Sequence, residues 1–181
     1  MELFTKSAQD TQKLGEKIAD TLTGEKPSSV ILGRSETTTP ESGFWTHPAK
    51  TGFARMTGKT KGKVATVLAL HGELGSGKTT FTQGFVKALG LPDRVVSPTF
   101  ILVREYPLKV GRFFRLYHID LYRLDDPKID DLGLNEIFAD PTAIVVIEWA
   151  ERLGEQLPTP RIEMRFEHIS DTERKIVIRE I

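Results

Sequence analysis

The run Gly72-Glu73-Leu74-Gly75-Ser76-Gly77-Lys78-Thr79 fits the pattern G-x-x-x-x-G-K-[ST], whose chemistry is the binding of a nucleoside triphosphate. Its glycines let backbone N–H groups wrap the phosphates, Lys78 neutralises their charge, and the hydroxyl of Thr79 suits a magnesium ion. Turnover needs more: a carboxylate near the metal and a group that positions water. Glu148 is the first candidate, because it directly follows the apolar run Ala143 to Ile147 and so falls at the carboxyl end of a predicted strand. In an open α/β sheet that is also where the phosphate loop must sit. Its carboxylate could meet the metal directly or through water, or act on water itself, and the residues leave these roles open.

His118-Ile119-Asp120-Leu121-Tyr122-Arg123 alternates polar with apolar residues, which predicts His118, Asp120 and Tyr122 on one face of a strand. Such a face is either a functional surface or a solvated edge, and the pattern taken alone leans towards the edge. His118 is a poor metal ligand, since the chain has only 4 histidines and none at a zinc-site spacing. Asp120 can instead join the magnesium shell or orient attacking water. Ser97-Pro98-Thr99 offers hydroxyls on a stiffened loop, suited to sensing a γ-phosphate or simply to forming an ST-turn.

Positioning these groups requires a strand, a loop and a helix in sequence. Val64 to Leu70 reads as a buried parallel strand, and Phe81, Phe85, Ala88 and Leu89 mark a helix over Thr79 to Leu89 that Gly90 ends. Ala143 to Ile147 is the second parallel strand. Ile101 to Tyr106 and Arg112 to Leu121 read as a hairpin joined by Pro107 to Gly111, and Arg161 to His168 with Lys175 to Ile181 as an antiparallel pair. Leu14, Ile18 and Leu22 predict an amphipathic helix over Asp10 to Leu22, with Asp10 or Thr11 as its N-cap. Asp130 to Phe138 is weakly helical.

A chain of 181 residues, 39% of them hydrophobic, suffices for one α/β domain. It lacks cysteine, which excludes disulfide frameworks and cysteine-based zinc sites. Lysine plus arginine and aspartate plus glutamate both number 25, so no overall field favours nucleic acid or an anionic membrane. No apolar run approaches the ~18 residues of a membrane span. The N-terminus has no basic region leading into an apolar one, and a cytoplasmic protein is expected. Residues 24–63 differ from the rest: they are rich in turn signals and poor in apolar residues, with 7 basic against 3 acidic side chains. A flexible insertion is the expectation there, with a basic interaction arm as the other reading.

The motifs HGELGSGKTTFTQGFVKALG, SPTF, HIDLYRL and IEWAERL, in this order and spacing, resemble the bacterial TsaE (YjeE) family. That resemblance implies a single P-loop ATPase domain over residues 1–181, an α/β three-layer sandwich with a mostly parallel central sheet plus antiparallel strands. It also implies an ATP-hydrolysing subunit that works with TsaB and TsaD in forming N6-threonylcarbamoyladenosine at position 37 of tRNAs reading ANN codons. Such a subunit drives a conformational or product-release step and meets tRNA indirectly, through the complex; nothing in the sequence speaks for or against self-association. Carried across, the family pattern places ATP phosphates at Leu74, Gly75, Ser76, Gly77, Lys78, Thr79 and Thr80, and magnesium at Thr79, Glu148 and Asp120. It implies catalytic roles for Lys78, Asp120 and Glu148, nucleotide contacts at Thr99 and Trp149, and an adenine-contacting segment around Ala8 to Thr11. The roughly forty residues between the first helix and the phosphate-loop strand depart from the family pattern. A small-molecule kinase using the same phosphate loop is the alternative function. A guanine-nucleotide switch is disfavoured, because no N-K-x-D motif is present.

Overall fold

The computed structural model describes residues 1–24, 63–91 and 102–181. Within them one mixed sheet holds seven strands, in chain order β1 (Glu2–Thr5), β2 (Thr66–His71), β3 (Val103–Val110), β4 (Phe113–Asp120), β5 (Ala143–Glu148), β6 (Ile162–His168) and β7 (Arg174–Glu180). The spatial order is β1-β7-β6-β2-β5-β4-β3. Strands β6, β2, β5 and β4 run parallel, and antiparallel partners extend the sheet on both sides. Every residue of β2 and of β5 is buried, which is why both read as continuous apolar runs and not as alternating ones.

Helices α1 (Ala8–Thr23) and α2 (Lys78–Ala88) cover one face of the sheet. Their core joins Leu14, Ile18, Phe81 and Phe85 to Leu68, Leu70, Ile144 and Val146, and reaches across to Met164, Phe166, Ile176 and Ile178. On the opposite face, helix α3 (Leu134–Ala139) and two short 3₁₀ turns bury Val67, Ala69, Val145, Ile147 and Ile119 beneath Leu134, Phe138 and Leu153. That second cover includes no residue of β6, β7 or β1. Among the described residues the sheet therefore has three layers over β2, β5 and β4 and two layers over β6, β7 and β1, where Glu163, Arg165, Glu167, Lys175 and Arg179 line a shallow polar recess.

The crossing of α1 and α2 is unusually close. A methyl group added at Gly84 would lie 2.0 Å from the carbonyl oxygen of Gln12, and one at Gly15 would lie 2.2 Å from that of Phe81. Backbone meets backbone there, which only glycine permits.

Three local expectations need correction. The N-cap of α1 is Ser7, whose Oγ accepts from the amide of Asp10 at 3.1 Å; Asp10 and Thr11 lie inside the helix. The β3–β4 hairpin turns at Gly111 and Arg112, and Pro107 belongs to β3. A proline is tolerated there because β3 is the edge strand, where an absent N–H breaks no ladder on its outer side. Finally, β4 is not a solvated edge: it lies between β5 and β3, and His118 and Asp120 are buried. Strand β1 was not foreseen, and the Asp130 to Phe138 helix contracts to α3. Thr99 and the Ser97-Pro98-Thr99 loop lie outside the described residues, as does the 24–63 insertion apart from its two ends.

Candidate functional site

The phosphate loop connects the carboxyl end of β2 to the amino end of α2. Gly75 and Gly77 turn it through left-handed conformations, φ 77° and 102°, that side chains rarely adopt. Ser76 is buried within the turn and Leu74 projects outwards, 73% exposed. Lys78, the first residue of α2, folds its ammonium back over the loop, donating to the carbonyl oxygens of Gly72 and of Glu73, the latter at 2.9 Å. It also lies 3.9 Å from the ring centroid of Trp149, as a cation–π contact. Burial pushes this ammonium below its ordinary pKa, while Glu151, Glu148, Asp120 and Glu73 pull the other way.

One helical position further, the hydroxyl of Thr79 donates to Glu148 Oε2 at 2.6 Å. Glu148 ends β5 and is 1% exposed. Its other oxygen, Oε1, is 2.9 Å from His118 Nε2. Asp120 stands beside Glu148 in the β4–β5 register, and its Oδ1 accepts from the amide of Tyr122 at 3.0 Å. Directly after Glu148 the chain turns at Trp149, with φ 60° and ψ 40°, which brings the indole over Lys78 and to 4.9 Å from the Tyr122 ring. A bulky residue in that conformation is strained, and the strain falls directly beside the Glu148 carboxylate and the Lys78 ammonium.

These groups open onto a cavity of about 350 Å³. Leu74, Gly75, Gly77, Lys78, Thr79, Thr80, Glu148 and Trp149 form one end of its lining, and Ser7, Ala8 and Thr11 from the start of α1 contribute as well. Two helix amino termini thus face a single cavity, and both bring the positive end of a helix dipole towards it. Of the residues singled out in the sequence, Ser76 is buried behind the loop and Asp120 is near the site without lining the cavity.

The sequence did not point to Asp171 and Thr172, in the turn between β6 and β7, or to Arg174, the first residue of β7, which also line the cavity. Arg174 donates to the carbonyl of Gly75 at 3.1 Å and to that of Ser170 at 2.7 Å, tying this turn to the phosphate loop. Nothing local could have revealed a contact between residues so distant in the chain. His118 was in view but read as a surface group.

Comparison with known proteins shows the family of the chain. Residues 46–176 match the family model described as Threonylcarbamoyl adenosine biosynthesis protein TsaE. The chain belongs to the TsaE family. The tRNA threonylcarbamoyladenosine biosynthesis protein TsaE of Bacillus subtilis (strain 168) is 44% identical over 114 residues, which are 63% of this chain and 69% of that protein. The TsaE protein of Haemophilus influenzae is 37% identical over 120 residues, 66% of this chain and 73% of its own length. The crystal structure of Bacillus subtilis YdiB superposes with a TM-score of 0.61 at 28% identity, covering 98% of this chain and 83% of that one. Among the described residues no helix is long and apolar enough to cross a membrane.

The residues fit a nucleotide and a hard cation. Left-handed glycines, a retracted lysine and two helix amino termini suit a polyphosphate. The adjoining hydroxyl and carboxylate oxygens of Thr79 and Glu148 form the all-oxygen donor set that magnesium prefers over softer ligands.

Proposed function

We propose that this TsaE-family chain is the ATP-hydrolysing subunit in the formation of N6-threonylcarbamoyladenosine at position 37 of tRNAs that read ANN codons. It acts with TsaB and TsaD partners, driving a conformational or product-release step without itself transferring the threonylcarbamoyl group. The reading rests above all on one observation: the phosphate loop, the Thr79–Glu148 pair and the amino terminus of α1 share one cavity.

Loop amides from Leu74 to Thr80 cradle the β- and γ-phosphates, and Lys78 exchanges the carbonyls of Gly72 and Glu73 for phosphate oxygens. Thr79 and Glu148 would hold magnesium, which would supply positive charge to offset that developing on the phosphates. Asp120, next to Glu148, orients the attacking water. Water oxygen bonds to the γ-phosphorus as the bond to the bridging oxygen breaks, and the water's proton leaves with the phosphate or to solvent. Segment Ala8 to Thr11 meets the adenine end.

The test is ATP turnover by wild-type protein and by Lys78→Ala, each alone and with TsaB, TsaD and substrate tRNA, with modified nucleoside measured in parallel. Wild type should turn over slowly alone and faster in the complex. Lys78→Ala should lose about 100-fold or more in kcat/KM and support no modification. A folded Lys78→Ala protein with wild-type turnover would remove the assignment, and transfer of phosphate to a small acceptor in place of water would favour the kinase reading.

A further inference from the structure

His118 is fully buried in the middle of β4, at a position where its neighbours on the same sheet face, Leu116, Ile144 and Val146, are aliphatic. An aliphatic side chain would continue that core. The histidine instead places Nε2 at 2.9 Å from Glu148 Oε1 and leaves Nδ1 buried without a hydrogen-bond partner among the described residues. An unpaired buried nitrogen is a cost to the fold, so its retention calls for a compensating gain.

Hydrogen-bond inventory fixes the tautomer. Glu148 accepts from Thr79 through Oε2 and offers Oε1 as a second acceptor, so the proton on the ring must sit on Nε2. The other tautomer would set a ring lone pair against a carboxylate oxygen and bury an N–H with no acceptor. Each oxygen of Glu148 therefore has its own donor, one from α2 and one from β4. With its backbone anchored at the end of β5, the carboxylate cannot rotate without breaking a bond to one of them.

We propose that His118 is a positioning residue: through Nε2–H it sets the rotation of the Glu148 carboxylate so that Oε2 stays beside the Thr79 hydroxyl at the phosphate loop. This rests on the ATPase reading above for its kinetic consequence, though not for its geometry. His118 itself does not line the cavity. Histidine is long enough to reach from the sheet interior, and glutamine places an amide nitrogen at a similar distance from the backbone.

Two measurements test this. In ligand-free protein, ¹⁵N resonances of His118 should show the proton on Nε2; a proton on Nδ1 would overturn the proposal whatever the enzyme does. In steady-state kinetics, His118→Phe fills the volume without a donor and should lower kcat by about 10- to 100-fold, the range for losing a group that orients a ligand. The KM for ATP should change less than about threefold, and His118→Gln should recover most of kcat. If His118→Phe and His118→Gln are equally impaired, or if KM rises in step with the loss of kcat, the side chain acts only by filling the core and the proposal fails. Should wild type and Lys78→Ala prove equally inactive, the ATPase reading falls while the resonance test still decides the geometry.

Discussion

Gly84→Ala tests the contact between α1 and α2 directly. The added methyl would lie 2.0 Å from the carbonyl oxygen of Gln12 and 2.6 Å from its carbonyl carbon, both backbone atoms that cannot rotate away. Comfortable carbon–oxygen contacts begin at about 3.3 Å, so the helices must part by roughly 1.3 Å. A gap of that size forfeits about half of the dispersion attraction across the contact. Inserting a methyl into a packed core costs about 1–3 kcal/mol, and a rigid backbone opposite places this site near the upper end. Alanine's better helix propensity returns about 1 kcal/mol, leaving a net loss of roughly 2 kcal/mol. For a chain of this length that is a fall in Tm of roughly 4–8 °C, measurable by calorimetry or circular dichroism. Gln83→Ala, at the exposed neighbouring position, should move Tm by no more than about 2 °C. A Gly84→Ala protein as stable as wild type or more so would refute the reasoning, because helix propensity would then outweigh the contact.

Asp120→Asn should bind ATP nearly as wild type does but hydrolyse it at least about tenfold more slowly, by parallel fluorescence titration and phosphate-release assays; equal loss of both would make the residue structural. Arg174→Ala should weaken ATP binding by roughly 3- to 10-fold as the 170–174 turn separates from Gly75, and Arg174→Lys should restore little, since one ammonium cannot reproduce a guanidinium spanning Gly75 and Ser170. Unchanged affinity in Arg174→Ala would show that the turn holds its place without this bond. Burial acts to raise the Asp140 carboxyl, but hydrogen bonds from the Thr142 hydroxyl and amide, with Arg115 nearby, outweigh it and hold the group below its ordinary pKa. Its contribution to stability is thus full above the unfolded value and lost as pH falls through the folded one, so the stability difference between wild type and Asp140→Asn should shrink from about pH 5 downwards in urea titrations. A difference independent of pH over that range would exclude the linkage.

The phosphate loop and its flanking strand and helix were legible because their signals are local: a glycine pattern, a β-branched run and a 3.6-residue periodicity within thirty residues. Glu148 was legible for the same reason, as the first polar residue after AIVVI. What could not be read depends on which strands become neighbours. The β3–β4 hairpin was legible, but His118 looks like a surface residue until β5 pairs on the other side of β4 and carries it into the interior of the sheet, and no feature of HIDLYR announces that pairing. Arg174 reaches the loop only because β6 lies next to β2, which carries the β6–β7 turn over Gly75. Strand β1 is four residues long and takes its register from β7 at the other end of the chain, so it has no pattern of its own. The Ser7 cap was within reach, since Ser7-Ala8-Gln9-Asp10 has serine and an acid at capping-box spacing.

The half of the sheet that has no second cover among the described residues sets how this chain can vary over evolutionary time. Along β6 and β7, Ile162, Met164, Phe166, Ile176 and Ile178 face the α1–α2 core, and a polar replacement at any of them would be purged by loss of the fold. The residues between them, Glu163, Arg165, Glu167, Lys175, Val177 and Arg179, face away from that core, and all but Val177 are charged, so exchange among polar types there alters little. Substitutions in this region should therefore accumulate at every second position, leaving an alternating pattern of constancy and drift, whereas β2 and β5, covered on both sides, should change slowly throughout. Two proteins of this architecture can diverge widely in overall identity while keeping that two-speed signature.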